Sequence, residues 1–143
     1  MTLVVDASVA IKWFVPEPRS DAAEDVLAAT DDLLAPDLLL VEAANALWKK
    51  VRRHELTIAE ASEVLDALHM TRLEMRPTGP LLDRALQLAA ALDHPVYDCV
   101  YLALADASRA RLVTDDGSFT RRVRRVPRRR GLPQIVTSSD FTR

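Results

Sequence analysis

The sequence predicts an α/β fold built on a mostly parallel sheet. Short apolar runs with the length of buried strands alternate along the chain with longer segments of helical periodicity, a pattern typical of βα units. There is no Asn-Gly pair to indicate a hairpin, and the 143 residues include only three glycines. A chain of this length is expected to form a single domain, residues 1–143.

The apolar runs give five predicted strands, and the periodic segments between them give seven predicted helices. The strands are residues 2–5, 33–35, 73–76, 111–114 and 134–137. The helices are residues 7–14, 19–29, 38–53, 57–72, 80–92, 95–108 and 117–125. In the fifth helix, one face is predicted to be apolar and formed by Leu81, Leu82, Ala85, Leu88, Ala89 and Leu92.

Several helix ends have recognisable signals. Pro16 follows the first helix and prevents its continuation. Asp37 is predicted to cap the third helix with its side chain, and Thr57 the fourth, where Glu60 would complete a capping box. Pro95 suits the first turn of the sixth helix.

Composition favours a cytoplasmic protein. The single cysteine excludes an intramolecular disulfide, and no apolar run reaches the roughly 18 residues of a membrane span, so no membrane association is expected. The first residues enter a strand-like run directly, which predicts no signal peptide. Net charge is −2, yet nearly every charge between Arg109 and Arg130 is an arginine. This segment is either a phosphate-contacting face or a solvated basic surface, with residues 126–133 predicted as a mobile loop.

Four acidic residues stand within or directly after apolar runs, where an unpaired carboxylate is costly. Asp6 and Asp116 follow predicted strands, and Glu42 lies early in the helix after the second strand. Because the carboxyl ends of parallel strands meet at one edge, these three are expected to lie close together. No strand precedes the helix of Asp98 directly, so its position does not follow from the topology.

A cluster of four carboxylates implies a divalent cation. Two unit charges about 5 Å apart repel by about 3 kcal/mol at an effective dielectric near 20, so an ionised cluster without a counter-ion is implausible. Either some carboxylates are protonated or a cation neutralises them. Ligands that are all oxygen favour Mg²⁺ or Mn²⁺ over zinc. Such a site is suited to phosphodiester hydrolysis.

Each acid also has a simpler interpretation. Asp6 could cap the first helix, Asp98 could stabilise a helix N-terminus, and Asp116 could be a turn residue. Glu42 could form a buried pair with an arginine. Two further predictions concern neighbouring side chains: Trp48 is expected in core or dimer packing, and the histidines are expected at the surface or at helix ends, namely His54, His69 and His94.

Four motifs in order resemble the PIN domain, and most closely the VapC-like toxins of bacterial toxin–antitoxin pairs. They are VVDASVAIKWF at 4–14, APDLLLVEAANAL at 35–47, DHPVYDCVYLALA at 93–105 and LVTDDGSF at 112–119. The resemblance extends over nearly the whole chain, from Thr2 to about Ser138. It implies a three-layer α/β/α sandwich with a short, mostly parallel sheet, and a Mg²⁺- or Mn²⁺-dependent ribonuclease with four acidic residues.

The resemblance also assigns roles by position. The catalytic and metal-binding acids would be Asp6, Glu42, Asp98 and Asp116. The family pattern Thr-x-Asp-x-x-Phe selects the second of the two adjacent aspartates and leaves the first in reserve. Supporting positions would be Ser8, Asn45, Thr114 and Asp115.

We therefore expect an endoribonuclease that acts as the toxin of a toxin–antitoxin pair. Its partners would be RNA of the tRNA or ribosomal RNA class, a cognate antitoxin protein and a second copy of the chain in a homodimer. One alternative is a non-catalytic PIN-like module that binds RNA or protein. A haloacid-dehalogenase-like phosphatase fits poorly, because Ser8 stands where that class has a second aspartate.

Overall fold

The computed structural model of the chain describes residues 1–29, 31–127 and 131–141. In these ranges, five strands alternate with seven α-helices. The strands are β1 (Thr2–Val5), β2 (Asp32–Pro36), β3 (Glu74–Arg76), β4 (Arg111–Val113) and β5 (Ile135–Val136). The helices are α1 (Ala7–Ala10), α2 (Ser20–Ala28), α3 (Leu38–Arg52), α4 (Ile58–His69), α5 (Leu82–Leu92), α6 (Val96–Ala107) and α7 (Gly117–Arg124). Short 3₁₀ helices occupy Ile11–Trp13, Gly79–Leu81 and Ser138–Phe141.

The strands form one sheet in the order β3-β2-β1-β4-β5, and every pairing is parallel. This confirms the predicted α/β fold. Three consecutive residues of the central strand, Leu3, Val4 and Val5, have no exposed surface. Successive strand residues point to opposite faces, so both faces of the sheet are covered, and the fold has three layers.

The chain winds outward from β1 in two directions. It first builds β2 and β3 on one side of β1, and later returns to place β4 and β5 on the other side. The reversal leaves a crevice between β1 and β4 at the carboxyl ends of the strands. In open parallel sheets this crevice is the usual position of a ligand site.

Helix α6 is the most deeply buried helix of the described chain, with every residue from Cys99 to Ala105 buried. It packs on β1, β2 and β4 and against α5. Because α6 leads directly into β4, and β4 is parallel to β1, the helix runs opposite to the strands. Its first turn therefore lies at the carboxyl edge of the sheet.

Most element bounds agree with the sequence predictions to within about three residues, and the Thr57–Glu60 capping box is present. Two side chains predicted to be apolar contacts are exposed instead. Leu82 is half exposed because α5 begins with a 3₁₀ turn that rotates this residue away from the core. Trp48 is also half exposed and carries the Arg52 guanidinium over its ring, so it is not a core residue, and its packing in a dimer stays a prediction.

The predicted cap of α3 is also wrong in its chemistry. Asp37 precedes the helix, but its carboxylate makes no capping bond to α3. It accepts hydrogen bonds from the backbone N–H and the hydroxyl of Thr78, at 3.0 and 2.6 Å. The Thr78 hydroxyl in turn accepts the N–H of Leu38 at 3.0 Å, so a residue from the distant β3–α5 connection caps α3.

No helix in the described part of the chain is long and apolar enough to cross a bilayer.

Replacing Thr78 with Val should lower the free energy of unfolding by about 1–2 kcal/mol, because it removes the cap of α3 and one donor to Asp37. Urea unfolding measures this change. Thr78→Ser keeps the hydroxyl and should remain close to wild type; unchanged stability in Thr78→Val would show that the hydroxyl does not stabilise α3.

Candidate active site

A cavity of about 750 Å³ opens at the carboxyl edge of the sheet. Its wall is formed by the turn after β1, one face of α3, the first turn of α6 and the turn after β4. The acidic residues in this wall include the four predicted by the sequence and the reserve candidate, namely Asp6, Glu42, Asp98, Asp115 and Asp116. The fold thus brings together carboxylates that are separated by up to 110 positions in the chain.

Asp6 is the buried member of the group, with 7% of its surface exposed. Its Oδ2 accepts hydrogen bonds from the hydroxyls of Ser8 and Thr114, both at 2.7 Å. Its Oδ1 accepts the backbone N–H of Ala7 at 2.9 Å, so Asp6 caps α1 as well. Burial raises the pKa of this carboxyl to about 6, against the lowering effect of the two hydroxyls.

Glu42 accepts a hydrogen bond at 2.6 Å from the hydroxyl of Tyr101, a residue of α6 with 1% of its surface exposed. Within the described ranges no arginine or lysine pairs with Glu42, so the alternative of a buried ion pair is not what the fold provides. Burial is the main reason that the pKa of Glu42 is raised. The pKa of Tyr101 is raised too, chiefly by burial, so its hydroxyl remains a donor.

Oδ2 of Asp98 forms a hydrogen bond with Nε2 of His94, at 2.6 Å. The side chain of His94 is only 10% exposed, and its ring lies 4.8 Å from the ring of Phe119. His94 lies at a helix end, between α5 and α6, which is one of the two predicted placements, but its imidazole is largely buried and faces Asp98 rather than solvent. Burial raises the pKa of Asp98, and the hydrogen bond from His94 lowers it in part.

Asp116 lies at the start of α7, where its Oδ1 accepts the N–H of Phe119 at 3.1 Å and caps the helix. Its own N–H donates to the Thr114 hydroxyl at 3.1 Å. Asp116 is thus a helix N-cap rather than a turn residue, and its side chain also lines the cavity.

The adjacent Asp115 differs from the other acids because it has its own cations. Lys12 Nζ lies 2.6 Å from its Oδ2 and Arg19 lies 3.6 Å from its Oδ1. The Ser138 hydroxyl and N–H also donate to it. Although burial acts to raise it, the pKa of Asp115 is lowered by Lys12 and by the Ser138 hydrogen bonds. This carboxylate is already neutralised, which favours Asp116 as the member of the acidic group.

The other two supporting positions also border the cavity. Ser8 donates to Asp6 and accepts the N–H of Asp115 at 3.1 Å. Asn45 follows Glu42 by one helical turn on the same face of α3, and it is exposed. In the predicted basic segment, the Arg124 guanidinium donates to the backbone oxygen of Ile135, in β5, at 3.4 Å. Residues 128–130 of that segment lie outside the described residues.

The four acids repel one another through the cavity. The charges of Asp98 and Glu42 raise the pKa of Asp6, the charge of Asp98 raises that of Glu42, and the charge of Asp116 raises that of Asp98. In the described chain, no lysine or arginine pairs with any of them, and the only basic side chain in contact with one is the imidazole of His94. The site therefore holds excess negative charge that a divalent cation would compensate.

The donor set fits a hard cation, since every candidate ligand is a carboxylate oxygen. Across the described residues, however, no three His, Cys, Asp or Glu side chains are gathered as a preformed metal site. These two facts are compatible for Mg²⁺, which commonly takes one or two carboxylates directly and keeps several waters. The remaining acids would then bind those waters.

Sequence reasoning missed Tyr101, His94 and Lys12. Tyr101 carried a usable signal, because it follows Asp98 by three residues of α6, which is neighbour spacing on a helical face. His94 precedes Asp98 by four residues but lies outside the helix, so only its closeness in sequence pointed to Asp98. Lys12 carried no signal, because its partner Asp115 is 103 positions away.

Comparison with known proteins gives matches of sequence and of fold. The PIN domain family profile matches residues 3–125. Ribonuclease VapC3 of Pyrobaculum aerophilum is 39% identical over 118 residues, which are 81% of this chain and 90% of VapC3. The crystal structure of PAE2754 from Pyrobaculum aerophilum superposes with a TM-score of 0.73 at 23% identity, over 99% of this chain and 86% of that one. A toxin-antitoxin complex from Klebsiella pneumoniae gives 0.63 at 17% identity, over 95% and 97%. The two structural matches concern the fold alone.

The stability of the metal-free protein should fall as the pH rises from about 4 to about 6. The native carboxyl of Asp6, with its pKa near 6, retains a proton that the unfolded chain, at 3.8, has released. The free energy of unfolding therefore decreases across this interval, by about 3 kcal/mol from Asp6 alone. Urea unfolding with a chelator at both ends of the interval measures the slope.

Asp6→Asn should flatten this pH dependence, and Asp66→Asn, on the exposed face of α4, should leave it unchanged. Identical slopes for wild type and Asp6→Asn would contradict the assignment.

Tyr101→Phe should weaken Mn²⁺ binding by roughly 10–100-fold, the usual effect of removing a hydrogen-bond partner of a metal ligand. Mn²⁺ binding followed by electron paramagnetic resonance measures this without any activity assay. Tyr97→Phe removes the hydroxyl of an exposed tyrosine in the same helix and should bind Mn²⁺ as wild type does.

Proposed function

The chain belongs to the PIN-domain family, with VapC ribonucleases among its relatives, and on that premise we propose that it is a Mg²⁺- or Mn²⁺-dependent endoribonuclease. One observation carries the proposal. Four carboxylates from separate segments line one cavity at the topological switch point of the sheet, and no lysine or arginine of the described chain pairs with them. A binding module would have no reason to sustain that repulsion.

Each acid would hold its place through a partner already described. Ser8 and Thr114 would orient Asp6, Tyr101 would orient Glu42, and His94 would orient Asp98, while the helix N–H fixes Asp116. A bound Mg²⁺ or Mn²⁺ supplies Lewis-acid activation of water and stabilisation of the leaving oxygen. The side chains do not act as nucleophiles, so no covalent enzyme intermediate is needed.

A proposal for the biological role rests on the relatives. We propose that the protein is the toxin of a toxin–antitoxin pair, that it cuts RNA of the tRNA or ribosomal RNA class, and that a cognate antitoxin protein covers the acidic cavity. The homology to Ribonuclease VapC3 supports the activity, and the shared fold with a toxin-antitoxin complex is consistent with the partner. A homodimer would cover apolar side chains that are exposed in the described chain, among them Ile58, Met70, Leu82 and Leu86.

Purified protein should cut tRNA or ribosomal RNA in Mg²⁺ or Mn²⁺, and Asp6→Asn or Asp98→Asn should each slow cleavage by more than about 100-fold, since even an outer-sphere change at a metal site costs roughly 10–100-fold. Gel analysis of end-labelled RNA measures the rates. Asp66→Asn is the matched control and should cut as wild type does. Equal cleavage by all variants would exclude this mechanism, and binding of both RNA classes without products in any metal would favour a non-catalytic module.

A further inference from the structure

Two apolar side chains stand exposed in the wall of the acidic cavity. Val41 is 67% exposed and Tyr97 is 63% exposed. Each immediately precedes one of the acids, Val41 before Glu42 on α3 and Tyr97 before Asp98 on α6. Because the two side chains lie in the same cavity wall as the acids, a substrate bound at the acids would contact their exposed surfaces.

The wall formed by α3 changes from acidic to basic along the helix. Glu42, Asn45 and Lys49 all line the cavity. With a rise of 1.5 Å per residue, Lys49 lies about 10 Å along the helix from Glu42. In the described ranges Lys49 makes no ion pair, whereas the other lysines near the cavity are bound, Lys12 to Asp115 and Lys50 to Glu17.

We propose that this wall is a nucleotide-binding subsite for single-stranded RNA beside the cleaved bond. The ring of Tyr97 stacks on the base of the neighbouring nucleotide, and the ammonium of Lys49 binds a phosphate along the strand. The inference rests on the proposed ribonuclease function and extends it to the form of the substrate. Base stacking on an exposed aromatic ring needs an unpaired base, which a duplex does not offer.

The charges favour RNA as the occupant once the cavity is open. The antitoxin proposed above would cover Val41 and Tyr97 only while it blocks the cavity, and an apolar contact gives no role to the Lys49 ammonium in the same wall, which is unpaired within the described ranges. A strand of RNA meets both requirements, since it presents a flat π-face and a phosphate in each nucleotide. The acids then face the scissile phosphate only through the cation.

The test uses the full chain with Asp6→Asn, so that RNA is bound without being cut, and follows fluorescence anisotropy of a short labelled single-stranded RNA of mixed sequence. In that background Tyr97→Leu should bind about 5- to 100-fold more weakly, and Tyr97→Phe, which keeps the ring, should bind equally well. Lys49→Gln should lower the slope of log affinity against log salt by about 0.7, the value for one phosphate contact on a single strand.

Matched controls separate the two contacts. On an abasic strand of equal length, the effect of Tyr97→Leu should vanish and that of Lys49→Gln should persist. Trp48→Leu removes an exposed aromatic ring of α3 outside the cavity lining, and Arg53→Gln removes one positive charge beyond it. Neither control should change RNA binding as its counterpart does.

The outcomes are distinguishable from those of the cleavage assay. Cleavage by wild type together with unchanged RNA binding in Tyr97→Leu would overturn the subsite and leave the nuclease function standing. Loss of self-association in Tyr97→Leu, without loss of RNA binding, would assign the ring to a protein interface and also overturn it. Weaker binding that depends on bases supports the subsite even if wild type cuts none of the RNAs tried.

Discussion

The site depends on one buried carboxylate at the junction of the two central strands. Asp6 directly follows β1, and its Oδ2 accepts hydrogen bonds from the hydroxyls of Ser8, in α1, and of Thr114, which follows β4. Each hydroxyl accepts a backbone N–H in return, from Asp115 and Asp116 respectively. The position of the fourth acid is therefore set by hydrogen bonds that end on the first. A carboxylate is well suited to this role, because it can accept from two hydroxyls and a backbone N–H at once.

The contrast between Asp115 and its neighbours shows which acids the fold leaves for a cation. Asp115 is held by Lys12, Arg19 and Ser138, and its pKa is lowered. For Asp6 the balance is the opposite, since burial dominates and no lysine or arginine of the described chain compensates. An arrangement that only stabilised the fold would pair both. The unpaired carboxylates reduce stability in the absence of metal, which is typical of residues kept for chemistry.

Much of the fold could be predicted from the sequence, because alternating strand-like and helical segments without hairpin signals leave few alternatives to a parallel sheet. Asp6 and Asp116 could be placed at one edge for the same reason. Asp98 could have been placed as well: a helix that leads into a parallel strand begins at the carboxyl edge. The sequence could not predict the Lys12–Asp115 pair or the Thr78 cap of α3. Each contact joins residues far apart in sequence, and no periodic pattern in the sequence indicates it.

The first turn of α6 combines two functions that are usually carried by different elements. Asp98 belongs to the acidic group, and one residue earlier the ring of Tyr97 stands in solvent at the mouth of the same cavity. The helix from Cys99 to Ala105 is buried and packs on three strands. Because the helix is buried against the sheet, the backbone positions of Asp98 and Tyr97 are held together, while the exposed ring keeps its side-chain torsions. Acids at the switch point can serve any phosphodiester. In the proposed subsite, discrimination between substrates would therefore come from neighbours such as Tyr97, whose identity can change without disturbing the charge balance of the site.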